Sequence, residues 1–295
     1  MRFRVLGPVC LEPRTPSAPK QRAVLATLLV RAGAVVPAGA LFDELWPEGP
    51  PRTAPTTLQV YVSHLRKALT QGGHGRGPLE TRPPGYLLRV EPGELDLRRF
   101  EELLSRGRTA FRDCDFAAAS GELTQALALW SGPALSGVPQ GEVLTAAAVR
   151  LDELRLEALE LRIEADLRLG RHHEVTGELM ELARAHPLRE QLHCQLMEAL
   201  RRAGRTTDAL RAYRAVHRSL HDELGVTPGP ALVRQHARVL SAHASEPVTA
   251  GATATAAAVA AVAAAPIGRP RAGSRRASGG PLPDVRVSRA HRRSP

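Results

Sequence analysis

Residues 53–71 read Thr-Ala-Pro-Thr-Thr-Leu-Gln-Val-Tyr-Val-Ser-His-Leu-Arg-Lys-Ala-Leu-Thr-Gln, and their pattern decides the fold. At about 100° per residue, Leu58, Val62, Leu65 and Leu69 fall on one narrow apolar stripe, which predicts a helix with that side against a core. Thr53 suits the N-cap, and Pro55 is tolerated in the first turn. Thr56, Val60, Ser63 and Lys67 form the opposite stripe, flanked by Gln59 and Arg66 on one edge and His64 on the other. No Asp or Glu occurs in the whole stretch. A face without acids suits a helix lying in a DNA major groove between rows of phosphate. A solvated face that lacks acids by chance is the alternative, and the face alone leaves both open.

The flanking sequence places this helix third in a small domain. Arg2 to Val9 reads as a strand. Lys20 to Ala32 reads as a helix with Leu25, Leu28, Leu29 and Ala32 on one side, stopped by Gly33. Ala38 to Trp46 is a short helix with Leu41, Phe42, Leu45 and Trp46 facing inward. Pro47 to Pro51 breaks the chain before the third helix. Beyond a Gly-rich stretch at 72–77, two strands, Leu79–Arg82 and Tyr86–Val90, are joined by Pro83-Pro84-Gly85 in a hairpin. Strand, three short helices and a hairpin is the order of a winged helix. It covers residues 1–97, with an expected core of Leu28, Leu29, Leu45, Trp46, Leu58 and Leu65.

Residues 98–244 are helical in pattern and rich in Leu, Ala, Glu and Arg. Leu169-Gly170-Arg171-His-His-Glu174 recurs 34 residues later as Ala203-Gly204-Arg205-Thr-Thr-Asp208, and Asp115 to Trp130 fits the same plan of paired helices. That is the tetratricopeptide pitch, whose stacked hairpins hold other polypeptides. A plain helical bundle is the alternative. From 245 to 295 the chain is Ala-rich, then Arg-rich, with no apolar periodicity, and is expected to be disordered. The fold class is therefore mainly α with small β parts: a winged helix-turn-helix followed by a tetratricopeptide-like α-helical domain.

Composition narrows the function classes. Apolar residues make up 43% and charged residues 24%, as in ordinary globular proteins, while aromatics at 3% leave the cores to Leu, Val and Ala. The net charge of +10 divides into +4 over 1–97, −1 over 98–246 and +7 over 247–295, so its sum alone does not point to nucleic acid. Three separated cysteines exclude a disulfide framework and a Cys-rich zinc module, which fits a reducing cytoplasm. The start is too short in apolar residues for a signal peptide. The Ala/Val run 256–265 is far below the roughly 20 residues of a membrane span. Neither a P-loop nor a GxSxG elbow is present. His217 and His221 stand four apart, but Arg218 occupies the place where a zincin needs Glu. No catalytic residue, cofactor or metal is expected.

Several motifs in order carry a resemblance. Lys20-Gln21-Arg22-Ala23, Leu41-Phe42-Asp43-Glu44-Leu45-Trp46, Thr57 to Ser63 and Thr81-Arg82-Pro83-Pro84-Gly85-Tyr86 resemble the OmpR-type winged-helix effector domain of actinobacterial regulators. Leu129-Trp130-Ser-Gly132-Pro133, His186-Pro187-Leu188-Arg189-Glu190, Ala209-Leu210-Arg-Ala-Tyr213 and Glu223-Leu224-Gly225-Val-Thr-Pro228-Gly229 resemble the bacterial transcriptional activation domain that follows it. Together, over residues 1–244, they are similar to the Streptomyces antibiotic regulatory proteins of small type, which have no ATPase region. Two departures stand out. The stretch before Lys20 is shorter than usual and proline-bearing, so one N-terminal strand is expected to be missing. Val60 also stands where these regulators often have Thr.

The resemblance implies a transcriptional activator of secondary-metabolite (antibiotic) genes that binds direct repeats in double-stranded DNA. It implies as partners RNA polymerase holoenzyme and a second protomer on DNA, and a cytoplasmic, nucleoid-associated location without membrane. Carried onto this sequence, base contacts fall to Thr56, Gln59, Val60, Ser63 and His64, and phosphate contacts to Arg52, Thr57, Arg66 and Lys67. The wing supplies Thr81, Arg82 and Tyr86. The alternative from another class is a repeat-type adaptor that binds proteins and no specific DNA.

Overall fold

The computed structural model describes residues 1–70 and 77–245. The tail expected from 245 onward, with its Ala/Val run, and most of the Gly-rich stretch lie outside the described residues.

The N-terminus differs from the single strand expected over Arg2–Val9. β1 (Phe3–Arg4) pairs antiparallel with β2 (Cys10–Leu11), Phe3 opposite Leu11 and Arg4 opposite Cys10. Residues 5–9 find their partners far along the chain instead. Ser131 N donates to Leu6 O at 2.9 Å, Leu135 N to Val5 O at 2.9 Å and Ser136 N to Gly7 O at 3.1 Å. Asp96, buried, takes the amides of Val5 (3.0 and 2.9 Å) and Leu6 (3.0 Å). Burial lifts its carboxyl above the usual range, while the amides of Leu6, Val5 and Leu97 pull the other way.

The winged-helix module follows in the expected order. α1 (Pro19–Val30) leads to a strand the sequence reading passes over, β3 (Val35–Pro37), and then to α2 (Ala38–Leu45). α3 (Ala54–Thr70) buries Leu58, Val62, Leu65 and Leu69, the expected stripe. β4 (Leu79–Arg82) and β5 (Gly85–Leu88) form the hairpin, and the sheet order is β3-β5-β4, antiparallel throughout. In α2, Leu41, Glu44 and Leu45 are buried, while Phe42 and, just past the helix, Trp46 are half-buried.

Seven helices complete the described chain: α4 (Asp96–Arg112), α5 (Phe116–Leu127), α6 (Glu142–Arg168), α7 (His172–Ala185), α8 (Glu190–Arg202), α9 (Thr206–Leu224) and α10 (Pro230–Ser245). Three of their connections are one turn repeated. Gly170 (φ 81°) and Gly204 (φ 70°) sit in the left-handed region, and Cys114 (φ 60°) takes the same place between α4 and α5. In each, the next amide reaches back five residues: Asp115 to Ala110 O (2.9 Å), Arg171 to Asp166 O (2.9 Å), Arg205 to Leu200 O (2.8 Å). The repeat is thus legible at the level of single backbone bonds. The motif at 186–190 ties helices together: Arg189 binds Glu160 (2.7 Å) and Glu153 (2.6 Å) on α6, and Glu190 accepts from Gly229 N (2.8 Å) ahead of α10.

Among the described residues, two apolar cores result. The second, from Ile163 to Val239, holds the end of α6 and α7–α10. The first joins Phe3, Leu28, Leu58 and Leu65 of the winged-helix module to Phe100, Leu104, Leu123 and Leu144 of α4–α6. The separate core expected for residues 1–97 is therefore absent. Residues of the winged-helix module and of α4–α6 bury one another, because the sheet's small area cannot cover α1 and α2 on its own.

Candidate nucleic-acid interface

With its apolar stripe buried, α3 turns Thr56, Gln59, Val60, Ser63, His64 and Lys67 to solvent, and Arg52 is exposed just ahead of it. Val60 is 45% exposed, an apolar side chain left in water amid polar neighbours. Thr57 is half-buried, and its hydroxyl donates to Thr53 O within the helix at 2.9 Å.

The helix and the wing are joined through Arg66. Its Nε donates to Leu79 O at 3.0 Å and its Nη2 to Thr81 Oγ1 at 2.7 Å. Thr81 and Arg82 are exposed on the wing, while Tyr86 is half-buried against the first core. Glu80 lies between Arg82 (Nε to Oε2, 2.9 Å) and Arg89 (Nε to Oε1, 2.6 Å). Hydrogen bonds from Arg89 and then Arg82 hold its carboxyl below the usual range. One wing carboxylate therefore offsets part of the positive charge of Arg82.

A polar cleft beside α3 was not singled out from sequence. It has a volume of about 320 Å³ and is lined by Arg14, Thr15 and Ser17 from the segment before α1, Gln21 from its first turn, and His64 and Lys67 from α3. Gln21 Nε2 and His64 Nδ1 are 3.0 Å apart, so these two elements meet at the cleft floor. Arg14 had no periodic signal to mark it, since the chain around it is irregular. Lys20 and Arg22, in the same motif, are committed elsewhere. Lys20 Nζ lies 4.8 Å from the Trp46 ring centre, and Arg22 binds Ser17 O (2.8 Å) and Gly137 O (3.0 Å). Among the described residues no group of His, Cys, Asp or Glu is arranged to hold a metal, and no helix is long and apolar enough to cross a membrane.

Two family models match the chain: the C-terminal domain of transcriptional regulatory proteins over residues 14–88, and the bacterial transcriptional activator domain over residues 95–240. The first ends with β5 and the second begins one residue before α4. The regulatory protein DnrI of Streptomyces peucetius is 42% identical over 248 residues, which is 80% of this chain and 91% of DnrI. The chain belongs to the Streptomyces antibiotic regulatory protein family. Regulatory protein AfsR of Streptomyces coelicolor is 42% identical over 259 residues, yet the match spans 26% of AfsR, so the family's two modules also occur within much longer proteins. The solved structure of EmbR from Mycobacterium tuberculosis, in complex with a low-affinity phosphopeptide, superposes with a TM-score of 0.78 at 36% identity. It covers 88% of this chain and 69% of EmbR. The family is one of transcriptional regulators, and this chain carries its winged-helix domain followed by its helical activator domain.

Proposed function

We propose that the chain activates transcription by binding direct repeats near promoters of secondary-metabolite genes and drawing RNA polymerase to them. The observation that carries this reading is the acid-free outer face of α3, clasped to the wing through Arg66. Gln59, Thr56, Ser63 and His64 offer hydrogen-bonding groups for base edges, and Val60 an apolar contact for a thymine methyl. Arg52, Lys67, Thr57, Arg66 and Arg82 serve the phosphates, and the cleft adds Arg14 and Gln21 to them. Tyr86 holds the wing strand against the core.

One recognition helix reads too few base pairs to find one promoter in a genome, so two protomers are required. On direct repeats they sit head to tail, with half-sites about one helical turn apart. The α7–α10 hairpins, outside the core they share with no DNA-reading residue, supply the surface for the polymerase and the neighbouring protomer.

The test is genome-wide recovery of bound DNA, followed by reconstituted transcription with purified polymerase on the recovered promoters. Enrichment of direct repeats and their activation are the expected results. Recovery of proteins without any enriched DNA sequence would favour the adaptor reading instead.

A further inference from the structure

Glu44 belongs to α2 of the reader, yet its hydrogen-bond partners belong to the activator domain. It is 4% exposed, and a carboxylate taken out of water needs donors. Oε1 accepts from Gly141 N at 2.6 Å, and Oε2 from Val143 N at 2.8 Å and Leu144 N at 3.3 Å. These are the amides at the start of α6, which no residue within the helix can satisfy. The negative charge also faces the positive end of a 27-residue helix. A capping side chain normally comes from the turn just before its helix, whereas this one lies 97 residues upstream of Gly141. Gly141 permits the approach: a Cβ there would stand 2.8 Å from the Cα and carbonyl oxygen of Glu44. On its other side α2 is anchored by Leu41 and Leu45 in the first core and leads directly into the turn before α3.

We propose that Glu44 is a positioning residue that sets the angle between the DNA-reading helix and the helical array, without touching DNA. The inference rests on the activator reading given above. With the cap in place, the array projects from the duplex at one fixed azimuth. Polymerase and a second protomer then meet it only when the half-sites are correctly phased. Without the cap, the shared first core still holds α6 to α2, but the start of α6 loosens, the array's azimuth spreads, and the DNA-reading helix still fits its half-site.

The experiment uses the full chain with Glu44→Gln and Glu44→Ala, and Gly141→Ala as a second way of parting α2 from α6. Affinity for a single half-site should stay within about twofold of the parent, while cooperative binding to paired half-sites falls by about tenfold or more. Activation should also lose its dependence on helical phase when the operator is moved stepwise from the promoter. Independently of activity, nitroxide labels at Arg31→Cys and Arg211→Cys are placed in a chain whose Cys10, Cys114 and Cys194 are serine. They should give a broader distance distribution in the Glu44 variants than in the parent. Unchanged distances and unchanged phase dependence would overturn the proposal. So would a loss of half-site affinity equal to the loss on paired sites, since the residue would then serve only folding. If the parent chain itself fails to recognise any operator, the activator reading falls, and the label distances still decide whether Glu44 holds the two modules together.

Discussion

Arg66 uses two of its donors on the wing, at Leu79 O and Thr81 Oγ1, and the remainder are left for a phosphate. Lys67, exposed one residue on, has no such second duty. The two should therefore separate by experiment. Lys67→Ala should weaken binding on all sequences and reduce the salt slope by about 0.9, with the urea midpoint unchanged. Arg66→Ala should weaken binding and also lower stability, because the wing loses its tie. Gln59→Ala should cost about 1–3 kcal/mol on the operator and little on random DNA, measured by anisotropy at fixed salt. Equal losses on both DNAs would remove Gln59 from the base-reading set. Away from DNA, Cys114 holds a left-handed conformation that glycine fills in the two equivalent turns. Cys114→Gly should raise stability by about 0.5–1 kcal/mol in urea unfolding, after allowing for glycine's greater freedom in the unfolded chain.

Helices whose apolar residues repeat at 3.6 were legible: α3 is the plainest, since Leu58, Val62, Leu65 and Leu69 are enough to orient it. Elements defined by distant partners were not. β3 is three residues long and exists because β5 pairs with it, and residues 5–9 are held by the 131–136 segment. The role of Glu44 was not legible, since nothing local signals a helix start 97 residues away. The tie of Arg66 to the wing was not legible because its acceptors, Leu79 O and Thr81 Oγ1, lie on another element. On α8, one carboxylate that also receives Gln235 of α10 is open to titration. Burial pushes the Glu198 carboxyl up, but hydrogen bonds from Arg201, Gln235 and Arg202 outweigh it and bring it to about 2. A depressed folded value means the stabilisation is complete above the ordinary carboxylate range and is lost as pH falls toward 2. Between those limits the urea midpoint of the parent should drop more steeply than that of Glu198→Gln, and parallel curves would show that the hydrogen bonds from Arg201, Gln235 and Arg202 add nothing to stability.

For the molecule as a whole, the shared first core changes what can be cut. A fragment ending at 97 loses Phe100, Leu104, Leu123 and Leu144 from the packing around Leu28 and Leu65, so it should show little cooperative unfolding and little DNA binding. The chain 1–246 should bind its operator as the full chain does at physiological salt. The Arg-rich remainder should add only salt-sensitive, sequence-independent affinity. Activation lost with the tail would give that segment a larger part. On DNA, inserting half a turn between half-sites should abolish cooperative binding, as read by footprinting, and survival of cooperativity would remove the side-by-side pair.

The passage from one core to the other occurs inside α6, between Ala158 and Ile163, rather than at the junction of the two family modules. Heritable defects should sort at that point. Cavity-forming changes upstream of it, such as Leu123→Ala, would abolish operator occupancy although they lie far from any base, and would be recessive to a normal allele. Changes downstream, such as Leu196→Ala or Leu200→Ala, would leave a protein that still occupies its operator and fails to activate. In a partial diploid those alleles would poison the normal copy by seating an inert partner beside it. A screen for dominant loss of expression should therefore map almost wholly beyond residue 160.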